Sequence, residues 1–176
     1  MTVIEPVEPS HFAAIAQWLA RTEINQWLTE DWRDRAVTTA LVASAVRNRR
    51  NLLYVVKHEG RPCGLTALAD MQRVDKTAMA WYALGEPDAG GRGVMTAAVR
   101  SMIDLCFGEL GLQSVYAWAM DANTPSIRLL ERVGFQRAGT IRAAAHCMSR
   151  QVDRVYFDVV ASEWAARAER ATAPGS

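Results

Sequence analysis

The sequence is short of several things, and each shortage argues against a class of protein. Three of its 176 residues are cysteine. Cys63, Cys106 and Cys147 are odd in number and show no CxxC spacing, which argues against a disulfide framework and a zinc site and leaves three packed thiols. No metal is expected. No apolar run approaches the ~18 residues needed to cross a bilayer. The opening "MTVIEPVEPS" has neither the basic start nor the apolar stretch of a signal peptide, so a cytoplasmic location is the default expectation. A net charge of +1 offers no electrostatic footprint for nucleic acid or a membrane surface. Lysine is scarce: the basic residues are arginine except for Lys57 and Lys76, a matter of composition that carries no mechanism. There is no internal repeat and no low-complexity linker.

What is present fits an ordinary globule. Half of the residues are hydrophobic and 22% are charged, and the length suits one domain with a sizeable core. A single domain over residues 1–170 is expected, with 171–176 ("ATAPGS") as a disordered tail. "TVIEPV" reads as a strand. Ser10 reads as an N-cap, because Phe12, Ile15 and Leu19 recur behind it at helical spacing. "EINQWLTEDWRD" is a tryptophan-bearing connector, helical in part, and a second helix is expected from Asp34 to Arg50. "NLLYVVKH", "EGRP" and "CGLTALADMQ" form a hairpin, and "TAMAWYAL" adds a strand. Met95, Val99, Met102, Ile103, Cys106 and Leu110 share one face of the following helix. Strand "LQSVYAWAM", helix "NTPSIRLLERVGF", two further strands and a helix from Ser162 complete the chain. Pro125 is tolerated in a first turn and Gly134 ends that helix. The fold class is α+β, a mixed α/β order too poor in β-α alternation to be doubly wound.

The stretch "PDAGGRGVMTAAV" is the first chemical signal. A helix start offers unpaired N–H groups and about half a positive charge. Gly90, Gly91 and Gly93 let the chain close around an anion, and Arg92 adds a cation. By itself such a turn is as readily a plain connector. It is neither a Walker loop, since no Lys-Ser/Thr pair follows, nor a dinucleotide fingerprint, since the spacing differs.

Downstream, "NTPSIRLLERVGFQRAG" places Asn123, Ser126, Leu129, Glu131, Gly134, Phe135 and Gly139 at the spacing N..S..L.+..GF...G. With the glycine loop before it, the chain here resembles the GNAT superfamily of N-acyltransferases. The run "GTIRAAAHCMSRQVDRVYFDVVASEW", with Asp153, Tyr156, Glu163 and Trp164, is similar to the Rim-type branch that acetylates ribosomal-protein N-termini. The resemblance implies a twisted, mostly antiparallel sheet flanked by helices and splayed between the strand ending at Leu84 and the one ending near Met120. It implies that a phosphopantetheine arm pairs with the backbone of Tyr82, Ala83 and Leu84. Its phosphates would rest on Gly91, Arg92, Gly93, Val94, Met95 and Thr96, with Asn123 and Ser126 as further contacts. The donor is then acetyl-CoA or another acyl-CoA.

Amide formation from a thioester needs a deprotonated amine held against the carbonyl, a donor for the oxyanion of the tetrahedral intermediate, and a proton for the thiolate. Many relatives carry a tyrosine where this chain has Leu130. The Rim-type branch implies Ser126 as the acid instead, although a first-turn serine also caps a helix. The branch's glutamate corresponds to Ala145. His146, adjacent, is the candidate base, since an imidazole suits proton removal, but it needs a bulge to face the site. Asp70, Glu30 and Asp121 are further carboxylates that spacing does not rank. Trp27, Trp32, Trp118 and Asp70 are candidate acceptor contacts, the tryptophans as walls for a flat or apolar amine.

Met95 stands where relatives have Gly or Ala, and Gly90 where they often have Arg or Gln. Either Met95 turns inward, or it crowds a diphosphate and the donor arm carries one phosphate on an acyl carrier protein. The acceptor is a small-molecule amine or a peptide N-terminus, and the protein a monomer or homodimer. A pantetheine- or metabolite-binding sensor without turnover is the reading from another class.

Overall fold

The computed structural model describes residues 1–147 and 149–172. In chain order these form β1 (Thr2–Pro6), α1 (Phe12–Ala20), α2 (Thr22–Asn25), α3 (Thr39–Arg47), β2 (Leu52–His58), β3 (Arg61–Gln72) and β4 (Thr77–Leu84). They continue as α4 (Val94–Gly108), β5 (Ser114–Met120), α5 (Thr124–Val133), β6 (Gln136–Cys147), β7 (Arg150–Val160) and α6 (Ala161–Thr172). The seven strands make one sheet in the order β1-β2-β3-β4-β5-β7-β6. Every neighbouring pair is antiparallel except β4 and β5. The mixed element order read from the sequence, and the mostly antiparallel sheet that the resemblance implied, are therefore observed.

Period-2 alternation on the inner strands feeds two cores. Leu65, Ala67 and Ala83 face α1 and α3, where they meet Ile15, Leu19 and Val42. Leu68, Ala78 and Ala80 face α4 and meet Val99, Met102 and Ile103. β3 lies between β2 and β4 and is covered on both faces, so its residues 63–68 are buried without interruption. Each fully buried Leu or Ile here contributes about 1.5–3 kcal/mol of transfer free energy.

Local geometry corrects four boundaries. Ser10 is not the cap of α1: it sits inside a 3-10 turn, Pro9–His11, and the Glu8 N–H donates to His11 Nδ1 at 3.1 Å. The second long helix starts at Thr39, not Asp34, because Asp34 takes a left-handed φ of 57°. Thr38 caps it, accepting from the Leu41 N–H at 3.2 Å. Leu110 lies past the end of α4 and is partly exposed rather than continuing its apolar face. α6 runs to Thr172, two residues into the stretch expected to be a tail, and residues 173–176 lie outside the described residues.

One feature of the sheet positions the site. β4 and β5 share three rungs, Thr77–Ser114, Ala78–Val115 and Met79–Tyr116. Beyond them each strand follows its outer partner. β4 stays registered on β3 as far as Leu84, and β5 on β7 as far as Met120. The inner edges of Ala80–Leu84 and Ala117–Met120 part company, and their facing backbone groups have no strand partner across the gap.

Candidate active site

A cleft of about 540 Å³ opens at this divergence. Its lining draws on both separated strands, the loop before α4 and that helix's first turn, one side of α5 from Pro125 to Arg132, and the connector around α2. Gly91 and Gly93 both take φ of 74°, a left-handed geometry that costs a side-chain-bearing residue roughly 1–2 kcal/mol. Gly93 is the N-cap of α4, and the first amide to return into the helix is Ala97, which donates to the Gly93 carbonyl at 2.9 Å. Among the described residues, no amide from Gly91 to Thr96 has a backbone acceptor. Two left-handed glycines and the unspent N–H groups of Gly91 and Gly93–Thr96 thus lie at one rim of the cleft, an arrangement that can hold an anion.

Met95 does not obstruct it. The residue is 7% exposed and packs with Val56, Cys63, Ala89 and Ala98. Its sulfur lies 3.2 Å from where a Cβ on Gly64 would stand, so Met95 turns under the sheet and leaves its amide at the rim. Gly90 has a steric cause as well: a Cβ there would lie 2.9 Å from the Pro87 carbonyl oxygen. Arg92 is exposed and does not line the cleft. The cations that do are Arg128 and Arg132, one turn apart on α5. The sequence reading missed both, although their i, i+4 spacing beside Ser126 was visible.

α5 carries the hydroxyl. Asn123 caps it, its Oδ1 accepting from the Ser126 N–H at 3.3 Å, and it also lines the cleft. Its cap role and its place in the site thus coexist. Ser126 Oγ lies 2.8 Å from Tyr82 Oη, and the same phenol donates to the Ser126 carbonyl oxygen at 3.1 Å. Burial pushes the Tyr82 phenol well above its ordinary range, opposed by the smaller pull of the hydrogen bond to Ser126. The sequence reading assigned Tyr82 for its backbone only. Leu130, where the resemblance leads one to expect a tyrosine, is fully buried in the core and does not line the cleft.

The residues expected to contact an acceptor depart further from expectation. Trp27 and Trp118 line the cleft, and the Arg154 guanidinium stacks 4.3 Å above the Trp118 ring. Trp32 does not line it. Trp32 packs against Trp81 at 5.6 Å between ring centroids, and Trp81 forms the wall. Asp70 is also elsewhere, ion-paired with Arg50 in a neighbouring cavity of about 410 Å³. His146 is exposed and outside the cleft. A bulge does occur, between Ile141 and Ala145, where Ala143 takes φ of 51° and donates its N–H to Asp153 at 2.9 Å. It falls before Ala145, so Ala145 and Cys147 turn inward to pack with Trp27 and Trp118, and His146 faces out. Glu30 and Asp121 are exposed and do not line the cleft. The carboxylate that lines it is Glu23, at the start of α2. Among the described residues no group of His, Cys, Asp and Glu could hold a metal ion.

Comparisons with known proteins bear on this geometry. The model of the acetyltransferase (GNAT) domain matches residues 2–136. The chain is 31% identical over 107 residues to YdaF of Bacillus subtilis (strain 168), a putative ribosomal N-acetyltransferase, covering 61% of this chain and 58% of that one. It is 30% identical over 111 residues to the uncharacterized N-acetyltransferase p20 of Bacillus licheniformis, covering 63% and 62%. The matches thus span less than two thirds of these curated relatives. Among solved structures, the spermidine N-acetyltransferase of Vibrio cholerae in complex with CoA and spermine superposes with a TM-score of 0.84 at 17% identity, over 93% of this chain and 98% of that one. At that identity the likeness is one of fold.

Proposed function

The chain belongs to the GNAT acetyltransferase family, and on that premise we propose that it moves an acyl group from acyl-coenzyme A to the primary amine of a small, largely apolar molecule. One observation carries the reading: the unspent amides of Gly91 and Gly93–Thr96 belong to residues that line the same cleft as the parted strand edges and the Ser126 hydroxyl. These are the features a phosphorylated thiol carrier requires, with donors for its phosphates, open backbone for its amide-bearing arm, and a proton source at the far end.

The residues present suit the whole coenzyme. The amide cradle and the Arg128–Arg132 pair would meet the diphosphate, and the free edge of Ala80–Leu84 would meet the pantetheine amides. The inward turn of Met95 removes the crowding that would favour a carrier-tethered arm with one phosphate, so the free coenzyme is the preferred donor. Bound there, the thioester supplies an activated carbonyl and a thiolate leaving group. The protein's own part is to hold the amine within the cleft, exclude water and present a proton at Ser126 Oγ.

The acceptor wall supports a small molecule. The cleft of about 540 Å³ is shared between donor and acceptor, so only part of it is left for the amine, which suits a small molecule. Trp27, Trp81, Trp118, Ile24 and Leu28 give it an apolar surface, and Glu23 adds a carboxylate. Such a wall suits an amine with one cationic centre on a flat or apolar body better than a polyamine, which would need several anionic partners. The ribosomal assignment of YdaF keeps a peptide N-terminus as the second reading.

Titration with acetyl-CoA and an assay against a panel of monoamines, polyamines and N-terminal peptides test this. At a hundredfold excess over Kd, a coenzyme specific for the folded state adds about 2.7 kcal/mol of stability, read as a raised melting temperature. Turnover is expected with aromatic or aliphatic monoamines. No stabilisation by coenzyme A defeats the donor assignment, and turnover confined to N-terminal peptides defeats the acceptor assignment. Coenzyme binding with no turnover on any amine would instead support a sensor.

A further inference from the structure

Tyr82 brings to the splay a side chain that neither the loop motif nor the helix motif encodes. Its hydroxyl reaches from β4 to the first turn of α5, 2.8 Å from Ser126 Oγ and 3.1 Å from the Ser126 carbonyl oxygen. Burial disfavours its ionised form, so the phenol keeps its proton through the working pH range. One proton facing two acceptors permits two arrangements. When Tyr82 donates to the carbonyl, Ser126 Oγ–H donates to the Tyr82 oxygen, and the serine lone pairs are left for the cleft. When Tyr82 donates to Ser126 Oγ, the serine's own proton is released for a partner in the cleft, which Ser126 lines.

Resting on the reading of Ser126 as the proton source, we infer that Tyr82 is a positioning residue that turns the Ser126 hydroxyl between these two arrangements, so that one oxygen accepts a proton from the attacking amine and delivers one to the leaving thiolate. The exchange balances. A C–N bond forms and the C–S bond breaks. One proton passes from nitrogen to Ser126 Oγ, and the proton already on Oγ passes to sulfur. Tyr82 ends with the proton it began with, in keeping with its resistance to ionisation. The pairing also explains how a serine can serve where Leu130 offers no phenol: the tyrosine hydroxyl arrives from β4 and acts through the serine.

Tyr82→Phe keeps the ring and its packing against α4 and α5 and removes only the hydroxyl. The test measures kcat and donor KM for Tyr82→Phe, Ser126→Ala and the double variant, with melting curves showing that each folds. Expected are a loss of kcat of about tenfold for Tyr82→Phe, a loss on the order of a hundredfold for Ser126→Ala, donor KM within about twofold throughout, and a double variant no slower than Ser126→Ala. Tyr82→Phe that retains full kcat, changes only KM, or slows the Ser126→Ala background by its own full factor overturns the role of Tyr82 alone. Undiminished turnover in Ser126→Ala overturns the reading of Ser126 and the Tyr82 inference with it.

Discussion

The cleft has two walls built on opposite principles. The wall proposed to hold the donor is mostly backbone: amides of one continuous loop-and-helix segment and the unpaired edge of one strand. The wall proposed to hold the acceptor is side chain, contributed by α2 and the connector after it, β4 and β5. Backbone donors are common to all residues and depend only on conformation, so a wall of this kind tolerates sequence change if its special φ values survive. A side-chain wall changes with every substitution, so acceptor specificity can vary over a constant donor grip.

Substitutions separate the two walls, and the largest effect is expected at Gly93. Gly93→Val forces a β-branched residue to φ of 74° at the N-cap of α4. Stability should fall by roughly 1–2 kcal/mol and coenzyme affinity by about tenfold or more, with amine KM at saturating donor little changed. Melting curves read the stability, calorimetric titration with coenzyme A the affinity, and steady-state kinetics the amine KM. An equal loss in amine KM would mean that the walls are not independent.

Trp118→Ala should do the opposite. Loss of the ring that faces the cleft and supports Arg154 is expected to raise amine KM on the order of tenfold and leave coenzyme affinity within about twofold. Glu23→Gln should cost kcat/KM for a cationic amine about three- to fivefold at low ionic strength, a loss that shrinks as salt screens the charge. Loss at both low and high salt would indicate a proton-transfer role for Glu23. His146→Ala is the smallest: turnover within about twofold of the parent is expected, because the ring points away from the cleft. A tenfold loss there would restore it as the base.

The same contrast decides what could be read from the sequence. The donor wall is local: glycines at 91 and 93, a helix pattern behind them and a second helix opening at Asn123 lie within short, contiguous stretches whose conformational needs are written in residue type. The acceptor wall depends on which face each strand residue presents, and that depends on register. The bulge between Ile141 and Ala145 keeps Ala145 inward and His146 outward. No local pattern placed that bulge, since it rests on Ala143 finding Asp153 across the strands. Asp70 was equally opaque: it sits at an irregularity between Ala69 and Gln72 that turns it toward Arg50. Tyr82 was legible as a strand residue but not as a partner of Ser126, because 44 positions separate them in sequence and only the splay brings them together.

The structure of the protein with coenzyme A bound tests the donor wall most directly. Phosphate oxygens are expected within about 3.2 Å of amides between Gly91 and Thr96, with the arm lying between β4 and β5. Coenzyme lodged elsewhere, or strands closed by further rungs beyond Met79 and Tyr116, would contradict it.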